Sequence, residues 1–443
     1  RPVPYQVLES SSAAGTPTRG IDRLLWHAEL PPLGYRLYRF GRGLPTAPAE
    51  GGAQATACSL ENEQLALCLD PESGAIASCL LKAAGVELVG PGGWNVAQVL
   101  EDTSDTWSHK VRGFDEVIGC FGAARITVGE QGPLQASLYV ERTSEGATWL
   151  QQLIVRAGEP EVLVRNWLHW QGRWQMVKLA FDVAVAEPQA CRDVPFGALP
   201  LPLDGAEMPM QMWADLSGLG SGIGVWGLGA GEPVSATAVP TKPDSRTPNP
   251  SSPIPNPTVG LAILNDGKYA CDATGSTLRL TILRCPPYAY HIPHPIGLKA
   301  RYDWVDQGLQ EFTLALRPHA GDWRGAGVVR RARELNLGVL PVTMYAHPGR
   351  LPAAQSCARL EGDELELTAL KPAEDGRGYI LRIADRHGYG GVGTLHWQGE
   401  GYTIACKAFE VVTLRLMRED GRWRAYPCDM IERDGSGDWG NTI

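Results

Sequence analysis

The stretch VGLAILNDGKYACDATGSTLRLTILRCPP, residues 259–287, reads as a strand, a turn and a second strand. Its first segment is short, apolar and β-branched, and NDG at 265–267 supplies residues that tolerate positive φ in a turn. The second apolar strand ends at the prolines of CPP, 285–287. Farther on, FTLAL at 312–316 places its large side chains on one face with the period of two that strands require. The stretch as far as Trp323 therefore predicts one sheet-building unit.

The composition extends this prediction to the whole chain. The 443 residues, 47.9 kDa, allow two or three domains, and 44% hydrophobic residues supply ample cores. The 52 glycines and 34 prolines, with few runs of period 3.6, favour an all-β protein. A net charge of −9 argues against nucleic acid and anionic membranes as partners.

The ten cysteines are scattered singly, mostly within apolar strand patterns. No two have the spacing of a zinc knuckle or a redox motif, so free thiols in a reducing compartment are favoured. No signal peptide and no apolar run of ~20 residues is present. These features predict a cytoplasmic protein that does not contact a membrane.

Outward from the central stretch, further strands alternate with turns. LPPLGYRLYRF, 30–40, reads as an edge strand pair, and LENEQLALCLDPESGAI, 60–76, as a hairpin. RGAGVVRRARELN, 324–336, has the periodicity of a helix. The segment 240–257 alternates proline with polar residues and predicts an exposed loop.

Several of these blocks together resemble the β-rich C-terminal region of α-mannosidases of glycoside hydrolase family 38. The matching blocks stand in order at 30–40, 264–269 (LNDGKY), 280–286 (LTILRCP), 306–308 (DQG), 317–319 (RPH) and 369–383 (ALKPAEDGRGYILRI). The resemblance implies a large antiparallel β super-sandwich, like that of galactose mutarotases, with smaller β-sandwich domains on either side. The expected divisions are 1–45 (the tail of a truncated small β domain), 46–323 (the super-sandwich, with the loop 240–257), 324–338 (a linking helix) and 339–443 (a small β-sandwich).

The resemblance also implies an activity: zinc-dependent, retaining hydrolysis of terminal α-D-mannosides. Such a reaction needs two carboxylates roughly 5–5.5 Å apart, and the family's zinc ligands and nucleophile lie in an upstream catalytic domain. Their signatures are absent from this sequence, and the chain starts without an initiator Met. We therefore expect a fragment with no catalytic residue and no metal site of its own, which is inactive alone, while the intact enzyme would contain zinc.

Two loops are candidates to meet sugar. The first, DTSDTWSH at 102–109, corresponds to a family segment that forms a pocket wall, and it would offer carboxylates for hydroxyl groups and an indole for stacking. The second contains Tyr302, Asp303 and Trp304 and reaches the DQG block at Asp306. The predicted substrate-binding residues are Asp102, Asp105, Trp107, His109, Tyr302, Asp303 and Asp306. An alternative interpretation of the first loop is a solvated segment with its Trp folded inward.

Other polar and aromatic residues are assigned structural roles. Asp306 is expected to fix a turn or line the rim, and Trp174 to pair strands. His291 and His294 lie three apart, but the prolines around them prevent a helix that would align both on a metal. His319 is expected to be a hydrogen-bonded structural residue where the sandwich packs on its neighbours.

The sequence leaves two other function classes open. One is a free-standing carbohydrate-binding or mutarotase-like module, which as a mutarotase would need a facing His acid and Glu base. The other is a structural module that forms a homo-oligomer. The expected partners under the mannosidase interpretation are a mannose-containing oligosaccharide and the missing N-terminal catalytic domain.

Overall fold

A computed structural model describes residues 3–8, 23–40, 52–144, 146–220, 258–288, 297, 299–345 and 347–433. The predicted proline loop at 240–257, together with His291 and His294, lies outside the described residues. Within them the chain forms thirty-one strands and one helix. The predicted all-β class is confirmed, and every strand pair is antiparallel.

In chain order, the first sixteen strands are β1 (Tyr5–Leu8), β2 (Arg23–Trp26), β3 (Gly34–Arg36), β4 (Gln54–Ala55), β5 (Ser59–Glu61), β6 (Leu65–Leu69), β7 (Ile76–Leu81), β8 (Val86–Glu87), β9 (Val89–Glu101), β10 (Val117–Cys120), β11 (Gly122–Val128), β12 (Gln135–Ser144), β13 (Ala147–Arg156), β14 (Val162–Trp170), β15 (Gln175–Val183) and β16 (Val185–Val194). The others are β17 (Gly197–Pro200), β18 (Met208–Pro209), β19 (Trp213–Gly220), β20 (Thr258–Asn265), β21 (Ala270–Thr274), β22 (Thr277–Cys285), β23 (Gly308–Ala320), β24 (Ala354–Ser356), β25 (Ala358–Glu361), β26 (Leu365–Pro372), β27 (Tyr379–Asp385), β28 (Gly391–Trp397), β29 (Glu400–Cys406), β30 (Val411–Glu419) and β31 (Arg422–Pro427).

Two large sheets face each other and form what we call the large sandwich, β4 to β23. The first has eleven strands in the order β18-β21-β22-β15-β9-β7-β6-β5-β4, with β10 beside β9 and β8 beside β7. The second has nine, in the order β11-β12-β13-β14-β23-β20-β19-β16-β17. Alternate side chains of both sheets meet in one apolar core that includes Trp94, Trp149 and Trp170. The predicted super-sandwich is confirmed.

The central stretch of the sequence contributes to both sheets. Strands β20 and β23 pair within the nine-stranded sheet, where Ile263 lies opposite Leu316. Strands β21 and β22 form a hairpin in the eleven-stranded sheet. One continuous segment therefore spans the two layers, and its leucines enter the shared core from both sides.

A smaller pair of sheets, β25-β28-β29 and β26-β27-β30-β31, encloses a separate core, and we call this unit the C-terminal sandwich. At the opposite end of the sequence, β1 and β2 form a two-stranded sheet. Strand β3 pairs with β24. Gln6 lies in β1, and its side-chain amide forms hydrogen bonds with the backbone of Leu134 and Gln135. These bonds attach β1 to the large sandwich.

The helix α1, Val328–Asn336, begins four residues later than predicted. Gly327 has φ 65°, and the carboxylate of Asp322 accepts the N–H groups of Arg324 and Gly325, so these residues form a turn. The buried face of α1 packs on the outer side of the nine-stranded sheet, next to Trp213 and Trp323. Arg386 of the C-terminal sandwich pairs with the buried Asp193 of the large sandwich, which joins the two units.

Candidate functional site

Five strand ends meet at one end of the large sandwich and bring the predicted site loops together. Gln175 lies opposite Glu101 on one side and opposite Cys285 on the other, so β9, β15 and β22 end side by side. Trp170 lies opposite Gly308 in the facing sheet. The side chain of Gln307 donates to the carbonyl of Gly172 at 2.9 Å, which ties the turn after β14 to the segment before β23.

Asp102 and Asp105 lie in the loop that follows β9, but both are buried, so this loop does not offer their carboxylates to sugar hydroxyl groups as expected. Their exposed fractions are 1% and 4%. Asp102 accepts from the guanidinium of Arg284 at 2.7 Å and from the N–H of Ser104. Asp105 accepts the N–H of Trp107 at 2.9 Å. Both carboxylates thus shape the loop, because a buried charge requires partners.

Trp107 and His109 are the exposed members of the same loop. The Trp107 side chain is 56% exposed, and its ring stacks on the imidazole of His109 with centroids 6.4 Å apart and planes at 14°. Ser108 between them has φ 48°, which turns the chain and places both rings on one side. The alternative of an inward-folded Trp is therefore excluded.

The second loop, 299–307, carries the other three predicted residues. The hydroxyl of Tyr302 accepts from the N–H of Gly297 at 2.9 Å. Asp303 is exposed, and its carbonyl receives the N–H of Tyr288. Asp306 has φ 51° and its carboxylate accepts the N–H of Arg284 at 3.4 Å, in agreement with the expected turn.

Sequence reasoning missed two contributors to this cluster. The first is Trp174, for which only a role in strand pairing is predicted. It has φ 56°, and its ring meets the edges or faces of Tyr302 and Trp304 at centroid distances of 5.7 and 5.1 Å. Its carbonyl accepts the N–H of Asp102 at 2.9 Å, so it contacts both loops.

The second missed residue is Arg284, which links the loops directly. Its side chain binds Asp102 and the hydroxyl of Ser104, while its backbone N–H faces Asp306. Its guanidinium also lies 4.7 Å from the centre of the Phe114 ring. An arginine at the end of an apolar strand was the available signal, since such a residue needs a buried anion.

A buried charged layer supports the first loop from below. Lys178, fully buried, pairs with Glu207 and with Asp272, and Asp272 also binds Arg279. Burial raises the pKa of Asp272, although the neighbouring cations act in the opposite direction. The ring of Phe114 lies over the ammonium of Lys178 at 5.8 Å. Residues 102–116, which begin with the first loop and include Phe114, are thus held against the sheet by charges as well as by apolar contact.

The structural role predicted for His319 agrees with the structure. The ring is buried, and its Nε2 lies 2.7 Å from the carboxylate of Asp215. In the described part of the chain, no three His, Cys, Asp or Glu side chains come together in a way that could hold a metal ion. The helix α1, which the described residues form, is neither long nor apolar enough to cross a membrane.

Comparison with known proteins connects this fold with one family. Residues 60–230 match the family model of the glycosyl hydrolases family 38 C-terminal domain, which confirms the resemblance seen in the sequence. "Alpha-mannosidase 2C1" of Homo sapiens is 27% identical over 350 residues, 74% of this chain and 28% of the relative. "Alpha-mannosidase G" of Dictyostelium discoideum is 21% identical over 386 residues, 83% of this chain and 30% of the relative. The chain thus corresponds to less than a third of the length of these relatives.

Solved structures show the same fold. A family 38 glycosyl hydrolase from Enterococcus faecalis superposes with a TM-score of 0.68 at 13% identity, covering 93% of this chain and 51% of that one. An α-mannosidase from Enterococcus faecalis V583 gives a TM-score of 0.66 at 13% identity, covering 93% and 49%. The architecture therefore occurs in a part of larger glycoside hydrolases.

Proposed function

We propose that this chain, whose residues 60–230 match the C-terminal domain of family 38 glycosyl hydrolases, is the non-catalytic β portion of a zinc-dependent, retaining α-mannosidase. In this role it supports a catalytic portion that hydrolyses terminal α-D-mannosides and lines part of the sugar pocket. The observation that carries the proposal is the alignment with an α-mannosidase over 350 residues, most of this chain. A cytoplasmic location is proposed with it, on the free cysteines of the described residues.

The loop cluster supplies suitable chemistry for lining a sugar pocket. The exposed indole of Trp107 offers a flat apolar face, which can stack on the C–H face of a pyranose. The exposed carboxylates of Asp303 and Asp306 can accept sugar hydroxyls. Asp102 and Asp105 would act indirectly, because their buried carboxylates fix the backbone that presents Trp107.

Zinc and the catalytic carboxylates are assigned elsewhere in this proposal. The described residues do not fit a zinc centre, since no three suitable ligands come together among them. Zinc would therefore bind in the catalytic portion, and the chain by itself would not hydrolyse mannosides. Its ligand would be a mannose-containing oligosaccharide held between the two portions.

Two measurements test the proposal. Hydrolysis of an aryl α-mannoside by the 443-residue chain, with and without added zinc, is expected to be undetectable. Titration with an α-mannose oligosaccharide, followed by Trp fluorescence, is expected to show millimolar binding that Trp107→Ala weakens at least threefold. Trp423→Ala, in the separate core of the C-terminal sandwich, is the matched control and should leave binding unchanged. Zinc-dependent turnover by the chain alone would contradict the proposal. Sugar binding that is unchanged in Trp107→Ala would contradict it as well.

A further inference from the structure

A cleft opens at the end of the large sandwich that lies away from the loop cluster. Its volume is about 420 Å³, within the range of roughly 300–1,000 Å³ that small-molecule sites occupy. Strand β23 begins at Gly308, beside the loop cluster, and ends at Ala320, in the wall of the cleft. The strand has 13 residues and is therefore about 40 Å long. The cleft is thus separate from the loops that are proposed to meet sugar.

The walls of the cleft are mostly apolar. Leu81 and Ala84, at and after the end of β7, form one wall, and Pro160, before β14, forms another. Among the described residues that line the cleft, only Arg317 and His319 have ionisable side chains. These two residues lie two apart on β23, so they share one face of the strand. Apolar walls with a few convergent polar groups are typical of a site for a small molecule.

Arg317 brings a guanidinium group to the cleft. Its Nε donates to the carbonyl of Ala326 at 3.0 Å and its Nη1 to the carboxylate of Glu161 at 3.2 Å. A guanidinium has five N–H groups, so these bonds to described residues leave Nη2 for a ligand. Glu161 also pairs with Arg331, so one carboxylate serves two guanidinium groups. The side chain of Glu161 is 2% exposed and that of Arg317 is 18% exposed. The charge that this pair presents to the cleft is therefore positive.

His319 adds a buried ring nitrogen that has no partner. Its Nε2 is held by the carboxylate of Asp215, and its side chain is 4% exposed. Within the described part of the chain, neither Nδ1 of His319 nor Oδ1 of Asp215 has a hydrogen-bond partner. Buried polar atoms in folded proteins are paired, so unpaired ones beside a cleft indicate a bound water or ligand. A carboxyl group suits Nδ1, because one proton between the nitrogen and the oxygen serves both.

We propose that this cleft binds a small organic acid whose carboxylate pairs with Arg317 and His319. The apolar body of the acid lies against Leu81, Ala84 and Pro160. Hydrogen bonds between a guanidinium and a carboxylate are roughly twice as strong as neutral ones. An oligosaccharide does not suit the cleft, because its many hydroxyl groups would lose water without gaining partners on the apolar walls. The inference is independent of the proposed function.

Fluorine NMR of 3-(4-fluorophenyl)propanoate tests this proposal. Titration with the 443-residue chain should give a dissociation constant on the order of 1 mM, and the neutral amide of the same acid should bind at least tenfold more weakly. Arg317→Met should weaken binding of the acid at least tenfold. Ala320→Trp fills the cleft from an exposed position, leaves the guanidinium in place and should also abolish binding. Arg330→Met, at a guanidinium that is 84% exposed, is the matched control and should leave binding unchanged.

The other outcomes overturn the proposal. Equal binding of the acid and its amide would show that the cleft does not select a carboxylate. Binding that Arg317→Met and Ala320→Trp both leave unchanged would place the acid elsewhere, and absence of binding at tenfold the expected dissociation constant would exclude the site. Displacement of the acid by the α-mannose oligosaccharide would assign it to the loop cluster. Failure of the oligosaccharide to bind would contradict the proposed function alone, so the two proposals fail separately.

Discussion

Asp272 in the large sandwich lies between the cations of Lys178 and Arg279, whereas Asp385 in the C-terminal sandwich lies among backbone N–H groups. Burial raises the pKa of Asp272. Burial acts in the same direction on Asp385, but bonds from Gly390 and Phe409, among others, outweigh it and hold the pKa below the usual value. In the first unit a carboxylate balances a buried cation; in the second it organises a turn.

The largest expected effect comes from removing the cation in the large sandwich. Lys178→Met would leave the carboxylates of Glu207 and Asp272 facing each other without their shared ammonium, and the free energy of unfolding should fall by about 3–5 kcal/mol. Urea unfolding measures this change. Arg330→Met is the control, since that side chain is 84% exposed and should change stability by less than about 0.5 kcal/mol. Equal effects of the two variants would remove the distinction between buried and surface charge.

A smaller loss is expected when the turn-organising carboxylate is changed. Asp385→Asn replaces one accepting oxygen by an NH₂ group that faces other donors, so the C-terminal sandwich should lose about 2 kcal/mol. The buried thiols of Cys406 and Cys428 report its unfolding by their reactivity. Asp363→Asn, at an exposed position, is the control. A neutral Asp385→Asn would mean that the N–H groups reach water instead.

Acid should change the stabilities of the large sandwich and the C-terminal sandwich in opposite directions. The lowered pKa of Asp385 gives stability that is present above its unfolded value of about 3.9 and is lost as the pH falls through the folded pKa. The raised pKa of Asp272 has the opposite sign: its contribution is present below about 3.9 and is lost as the pH rises through the folded pKa. Below about pH 4, Cys406 should therefore become reactive in less urea than Cys271, and a disulfide reagent active in acid can follow both thiols. The reverse order would contradict this comparison.

The smallest effect concerns the loop cluster. Arg284→Lys keeps the charge but loses the fork that binds Asp102 and Ser104 together, and about 1 kcal/mol is expected. The informative readout is hydrogen exchange, which should accelerate in both the 102–109 and the 302–306 segments. Arg173→Lys, at an exposed guanidinium over Trp304, serves as control. Faster exchange in only the first segment would show that Arg284 does not couple the loops.

The alternation of apolar residues was sufficient to predict most strands of the large sandwich. It did not predict β9, where Gly90, Gly92 and Gly93 interrupt the alternation of apolar residues. In the structure the side chain of Asp182 occupies the space that a Cβ of Gly90 or Gly92 would fill, and it accepts the N–H of Gly92. Glycine there permits close approach instead of a reversal, and only the neighbouring strand makes that visible.

The sequence names two candidate loops, and the structure shows that they meet but that not all of their polar side chains are exposed. The predicted segments at 102–109 and 302–306 do meet, since Arg284 and Trp174 contact both. Exposure could not be predicted for Asp102, because its partner lies 182 residues away in the sequence. Trp174 does pair strands, through its N–H to Cys285 and its carbonyl from Asp102. Its ring contacts could not be predicted for the same reason, as Tyr302 and Trp304 belong to a distant segment.

The pairing of β3 with β24 also concerns how the chain is made. Gly34 lies opposite Ser356, so 322 residues (356 − 34) must be added before this pair can form. At about 5–20 residues per second, a ribosome needs roughly 15–65 s for that interval. During this time the backbone of β3 has no strand beside it, and a nascent chain in this state is a natural client for a chaperone that holds extended segments.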